Sequence, residues 1–182
     1  MTRALKSRLV GVVLAGGQSA RMGEDKAGLV WKGRPLLEHA ESTLRAAGCD
    51  SVLVSGRPDR ANGFADSRQQ AGPAHALLDA LDQLPDDARG LLAIPVDMPL
   101  VRAEDLAPLA NATMNKPCAW ANHPLPLFLP ATANADVRED VWSVRKLIAG
   151  MGVSWLPLDE RREARLRNVN TPEDFAALSD QR

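Results

Sequence analysis

The chain has 182 residues, 45% of them apolar and 25% charged, with a formal net charge of −1. That length suits one domain with a single good core, and the composition is that of a soluble globular protein. Near-neutral charge excludes nucleic acid or a membrane as the electrostatic partner, and no apolar run approaches the ~20 residues of a membrane span. Cys49 and Cys118 form no CxxC pair, so they read as reduced thiols of a cytoplasmic protein rather than as redox or metal ligands. Arg3, Lys6 and Arg8 ahead of residues 9–15 mimic a short signal peptide. The small-x-small cleavage pattern is missing, and a buried strand behind a basic tail accounts for the same residues.

In chain order, residues 9–14 predict a central strand, apolar on both faces as parallel strands are. A glycine-containing loop follows over 16–26, then a small strand over 27–31 and a bend at Lys32-Gly33. Pro35 is expected at the first position of a helix that Gly48 ends, with Leu36, Ala40, Leu44 and Ala47 on its buried face. Residues 50–54 predict a second strand closed by Ser55-Gly56. Residues 57–71, which include Asp66, are polar and irregular. A helix opens at Gly72-Pro73, carries Leu77, Leu78, Leu81 and Leu84, and stops at Pro85. Residues 91–96 predict a third strand with Asp97 at its carboxyl end, and a short helix follows over 104–110. Two strands, 117–121 and 125–129, flank Asn122-His123-Pro124. A helix over 136–149, a strand over 153–158 and a helix capped by Thr171 with Pro172 in its first turn complete the reading.

Strands alternating with helices predict a Rossmann-like, three-layer α/β fold, its sheet mostly parallel and its helices on both faces. No linker or repeat divides it, so residues 1–182 are expected to form one domain. In such folds the ligand sits beyond the carboxyl ends of the strands, which here emit the loops 16–26, 55–72 and 97–101.

The first of these loops lies within VVLAGGQSARMGEDK, residues 12–26. Adjacent Gly16 and Gly17 exclude the G-x-G-x-x-G dinucleotide pattern, and Glu24-Asp25 after Gly23 excludes a Walker loop. The ingredients of phosphate binding are nonetheless present. Two glycines let backbone N–H groups approach a ligand, Arg21 offers a fork of donors, and Lys26 is a mobile point charge. By residue type alone, a Gly-Gly turn with two solvated cations fits equally well. Asp97 read alone also fits a turn cap, and Asp66 a solvated loop carboxylate.

The order of residues goes further. LAGGxSxRMGxDK over 14–26 resembles the opening signature of the molybdenum cofactor guanylyltransferases, within the wider nucleotidyltransferase family. Ala65-Asp66-Ser67, Ala71-Gly72-Pro73, Pro95-Val96-Asp97-Met98-Pro99, Pro124-Leu125-Pro126 and Asn168-Val169-Asn170-Thr171-Pro172-Glu173 follow in the family's order and cover nearly the whole chain. The resemblance implies transfer of GMP from GTP to the terminal phosphate of molybdopterin, with release of pyrophosphate. It further implies that Leu14, Ala15 and Gly16 hold the nucleotide through their backbone and that Gly17 continues the turn. Lys26 would contact GTP, Arg21 would face the triphosphate, Asp66 would contact GTP, and Asp97 would bind both nucleotide and Mg2+. No side-chain nucleophile is required, because positioning and charge neutralisation dominate such transfers.

Three positions depart from the pattern. Ser55 stands where asparagine is frequent near the base, which makes guanine selectivity less secure. His75 replaces a small or apolar residue and is expected to be a partly exposed helix residue. His123, where relatives carry a basic residue, reads either as a phosphate contact to molybdopterin or as a turn residue. Arg161, Arg162, Arg165 and Arg167 are interleaved with acids and are expected on a solvated surface, with a pterin-phosphate role as the alternative. Asn168 and Asn170 would close the site. The partners implied are GTP and molybdopterin, with accessory delivery proteins left open. The cytidylyl relatives, which typically read LAAG, and a non-catalytic carrier of nucleotide or cofactor are the competing readings. Gly16-Gly17 favours GTP, and retention of Lys26 and Asp97 favours turnover.

Overall fold

The computed structural model describes residues 7–16, 25–68, 72–111, 115–133 and 143–179, and along them strands and helices alternate. β1 (Arg8–Leu14) is followed by a 3-10 turn (Lys26–Gly28), the short strands β2 (Val30–Trp31) and β3 (Arg34–Pro35), and α1 (Leu36–Ala46). β4 (Ser51–Ser55), β5 (Gly63–Phe64), α2 (Pro73–Asp82), β6 (Ala88–Pro95) and α3 (Ala103–Asn111) come next. The remaining elements are β7 (Cys118–Trp120), β8 (His123–Pro130), α4 (Val144–Gly150), β9 (Ser154–Leu156), α5 (Glu160–Arg165) and α6 (Pro172–Ser179). Among the described residues no helix is long and apolar enough to cross a membrane.

The main sheet has seven strands in the order β5-β4-β1-β6-β8-β7-β9. β1 lies between β4 and β6, parallel to both, and its continuous apolar sequence reflects burial on both faces. β8 runs antiparallel to β6 and to β7, while β7 and β9 are parallel. The sheet is therefore mostly parallel, with β8 reversed. That reversal brings the start of β8, His123 and Pro124, to the same edge as the carboxyl ends of β1 and β6.

Neighbouring residues divide between the two faces, as the pleat requires. Val13, Leu92 and Phe128 pack with Leu36 and Leu44 of α1 and Leu106 and Leu109 of α3. Val12, Leu91 and Leu127 pack with Leu77 of α2 and Leu147 of α4. Burial of each such side chain is worth about 1.5–3 kcal/mol. Gly11 lets α1 sit close on β1, since a Cβ there would lie 3.1 Å from Leu44.

Several expectations are refined. Pro35 is the residue before α1 and belongs to β3, because its ψ of 146° is extended. The polar stretch after β4 contains β5, and buried Glu41 holds it to α1 by accepting from Arg60 at 3.0 Å and Asn62 at 2.7 Å. His75 is only 7% exposed, not partly exposed as expected. Ala74 to Leu78 are all buried, so the first half of α2 is enclosed on more than one side. The helix expected over 136–149 is present from Val144, with Ser143 as its cap, and 136–142 lie outside the described residues.

Candidate active site

A cleft of about 690 Å3 opens at the carboxyl ends of β1 and β6. The two strands end together, Val96 donating its N–H to the Leu14 carbonyl at 3.1 Å. Leu14, Ala15 and Gly16 line the cleft from β1, Val96 and Asp97 from β6, and Lys26 from the 3-10 turn. His123 enters from the reversed β8, and Asn168 and Asn170 from the segment before α6.

Asp25 shapes the 3-10 turn. Its Oδ1 accepts the Ala27 N–H at 3.1 Å, as an N-cap does, and also pairs with Arg57. The turn directs Lys26 inward, where Nζ donates to Asp97 Oδ2 at 3.3 Å and to Asn170 Oδ1 at 2.9 Å. The Lys26 and Asp97 side chains are only 17% and 18% exposed. Burial raises the Asp97 pKa above the ordinary carboxylate value, and Lys26 offsets only part of that. Asp97 Oδ1 is buried with no hydrogen-bond partner. An acceptor so placed is costly unless something fills its coordination.

The 166–170 segment is tied to the same point. Val169 donates its N–H to the Asp97 carbonyl at 2.7 Å. Asp174 then accepts the Asn170 and Thr171 N–H groups, each at 2.9 Å, and donates its own N–H to Thr171 Oγ1 at 3.1 Å. Those backbone donors hold the Asp174 pKa below the usual value.

Behind β1, Gly16, Gly56 and Asp66 pack closely. A Cβ on Gly16 would collide with Asp66 Oδ2, and one on Gly56, whose φ is 70°, would lie 2.6 Å from the Gly16 Cα. Glycine is required at Gly56 by its φ and by the backbone it meets, whereas a side chain at Gly16 would displace the Asp66 carboxylate. Asp66 Oδ1 is buried without a partner, and burial, then the charge of Asp79, raises the Asp66 pKa. Ser55 pairs in register with Leu14, is fully buried, and has no partner for its Oγ.

Leu14, Ala15, Gly16, Lys26 and Asp97 therefore converge on one cleft, whereas Asp66 packs against Gly16 and is not among the residues lining it. Gly17 and Arg21 lie outside the described residues. The arginine run is not simply solvated. Arg162 and Arg165 turn inward to Asp105, while Arg161 and Arg167 are exposed. Sequence reasoning did not single out Asp25 as the shaping residue of the turn. An Asp one residue before a Lys at the end of a glycine loop is the cap signal that could have found it.

Residues 11–148 match the family model of the MobA-like NTP transferase domain. The chain belongs to that family. A molybdenum cofactor guanylyltransferase of Xanthomonas euvesicatoria pv. vesicatoria is 37% identical, over 92% of this chain and 93% of the relative. A probable molybdenum cofactor guanylyltransferase of Opitutus terrae is 33% identical, over 92% of this chain and 93% of its own. Among solved structures, molybdopterin-guanine dinucleotide biosynthesis protein A from Archaeoglobus fulgidus superposes with a TM-score of 0.73 at 17% identity, covering 94% of this chain and 97% of that one. This MobA-like family member is a nucleotidyltransferase with the Rossmann-like α/β fold of its neighbours.

Proposed function

We propose that this nucleotidyltransferase transfers GMP from GTP to the terminal phosphate of molybdopterin. A phosphate oxygen of the acceptor attacks the α-phosphorus, the bond from that phosphorus to the β-phosphate oxygen breaks, and pyrophosphate leaves. The observation that carries the reading is the buried Lys26–Asp97 pair at the carboxyl ends of β1 and β6, with Asp97 Oδ1 unpartnered. The chain's relationship to guanylyltransferases at 37% and 33% identity supports the substrates.

The residues present fit Mg2+. With Lys26 on Oδ2, Asp97 Oδ1 is left as a buried anionic acceptor. Among the described residues no group of three or more His, Cys, Asp or Glu is placed to hold a metal ion. Mg2+ suits such a site, because it takes one or two carboxylates and completes its shell with phosphate oxygens and water. Held by Asp97, such an ion would supply positive charge to neutralise the phosphates. The chain's own residues do the rest. The backbone of Leu14, Ala15 and Gly16 cradles the nucleotide, and Gly16 lets it approach closely. Lys26 balances charge that grows toward the leaving pyrophosphate, and Arg21 shares that role from the loop. Gly17 continues the cradle. Asp66 supplies the acceptor that matches the N–H donors on guanine's pairing edge, and His123 faces the acceptor phosphate. Asn168 and Asn170 close the cleft over Lys26. Residues 1–182 act as one domain in the cytoplasm.

Pyrophosphate release with molybdopterin, Mg2+ and each of GTP, CTP and ATP tests the base. GTP should be used far better than the others, since a site built to hydrogen-bond one base leaves polar groups unpaired with another. Equal or better use of CTP would replace this reading with cytidylyl transfer.

A further inference from the structure

α5 has six residues and none of them is buried. A helix so short is unstable alone, and this one has no apolar face to dock it. Asp159 caps its start and buried Leu166 follows its end, and between them it is tied to α3 by Asp105, whose side chain is completely buried. The carboxylate accepts the Arg102 N–H at 3.0 Å as a helix cap. It also accepts Arg162 Nε at 3.2 Å and Arg165 Nε at 2.8 Å, and Arg165 Nη2 bonds its other oxygen to complete a two-point clasp. The Arg162 guanidinium lies 4.2 Å over the Trp120 ring, and Trp120 Nε1 donates to the Asp105 carbonyl at 3.1 Å.

Immediately after α5 the chain enters the cleft. Leu166 is buried, Val169 donates to the Asp97 carbonyl, and Asn170 accepts from Lys26. Few residues separate Arg165 from Val169, so little slack exists between clasp and cleft. A buried ion cluster gives little net stability compared with apolar packing, and fixing one geometry is its better-attested use.

We propose that Asp105, Arg162 and Arg165 are positioning residues. Acting through segment 166–170, they set the Asp97 loop and Lys26 in the arrangement that nucleotidyl transfer needs. The kinetic consequence rests on the proposed function, whereas the structural one does not.

Arg165→Ala opens the clasp at one residue that does not line the cleft. The second cavity, about 580 Å3 and lined by Arg102, Arg165 and Arg167, gives a small guanidinium ion access to the vacated place. Two readouts apply well below the melting temperature: hydrogen exchange of the Val169 amide, and kcat with GTP and molybdopterin beside a direct GTP dissociation constant. Arg165→Ala should deprotect Val169 and lower kcat by about tenfold or more, since small misplacements of reacting groups carry costs of that order. The GTP dissociation constant should move much less. Guanidinium at non-denaturing concentration should restore both protection and kcat. Arg165→Lys, which keeps the charge without the planar fork, should fall between, and it carries the test if Arg165→Ala does not fold.

Wild-type Val169 protection in the folded variant overturns the proposal. So does an unchanged kcat with only a lowered melting temperature, or a loss that guanidinium does not restore. If the wild type fails to transfer GMP at all, the proposed function falls, and Val169 protection still decides the positioning role.

Discussion

Lys26, at the start of the 3-10 turn, bonds both Asp97 at the end of β6 and Asn170 of the 166–170 segment. Removing a group that stabilises transition-state charge typically costs ~10²–10³ in turnover. Lys26→Ala should lower kcat on that scale and weaken GTP binding less, because backbone donors still hold the nucleotide. Parallel measurement of kcat and the GTP dissociation constant checks this; weakened binding at unchanged kcat would make Lys26 a tether. Gly16→Ala should abolish nucleotide binding while leaving β1 folded, since the new methyl meets Asp66 and not the core. Isothermal titration with GTP, alongside circular dichroism, reads the two effects separately. These residues were legible in the sequence because their order within one short stretch is informative. Ser55 and Asp66 were only half legible. Their type was readable, but a fully buried hydroxyl and an unpartnered carboxylate oxygen are properties of packing.

At the scale of elements, the buried carboxylate of Asp105 links α3 to α5 and gives the fold a pH dependence. Burial works against its ionisation, but hydrogen bonds from Arg165 and the Arg102 N–H, with the charges of both arginines, hold its pKa below the ordinary value. The folded state therefore binds this proton less readily than the unfolded chain. Stability from Asp105 is fully present above about pH 4 and is lost as pH falls through its folded value. Asp105→Asn should flatten that acid-side slope in urea unfolding series and destabilise at neutral pH by about 3 kcal/mol. That is the low end for breaking a buried pair, because the arginine partners remain partly solvated. α5 escaped the sequence reading because a mixed-charge run with no apolar periodicity looks like surface. The two strong helices, α1 and α2, carry that periodicity and were readable. The reversal of β8 had a readable sign. Trp120 pairs with His123 across Ala121-Asn122, and Asn122 has a φ of 66°, a left-handed conformation that asparagine tolerates in tight turns.

Across the whole molecule, the doubly wound topology gathers residues from opposite ends of the chain at one sheet edge, and the order of strands decides which loops meet. The alternation of strands and helices made that edge legible in outline. The partners of Asp97, which come from the 3-10 turn and from the segment before α6, depend on long-range closure that local pattern does not encode. The proposed base choice also belongs to this scale, since Ser55, Gly56 and Asp66 approach β1 from the neighbouring strand and its loop. Ser55→Asn should change the ratio of GTP to CTP use without changing Mg2+ dependence, as a nucleotide panel at fixed Mg2+ would record.

Asp97 is proposed to supply the carboxylate for a divalent ion in guanylyl transfer, and that role can be tested directly. Asp97→Asn removes the charge while keeping the size of the side chain and an oxygen within reach of Lys26, so it separates ionisation from shape. The decisive measurement is Mg2+-dependent pyrophosphate release from GTP with molybdopterin, titrated over Mg2+ for wild type and Asp97→Asn, with melting temperatures alongside. Asp97→Asn should stay folded at the assay temperature, lose most turnover and need much higher Mg2+. Near-normal turnover by Asp97→Asn at limiting Mg2+ would contradict it.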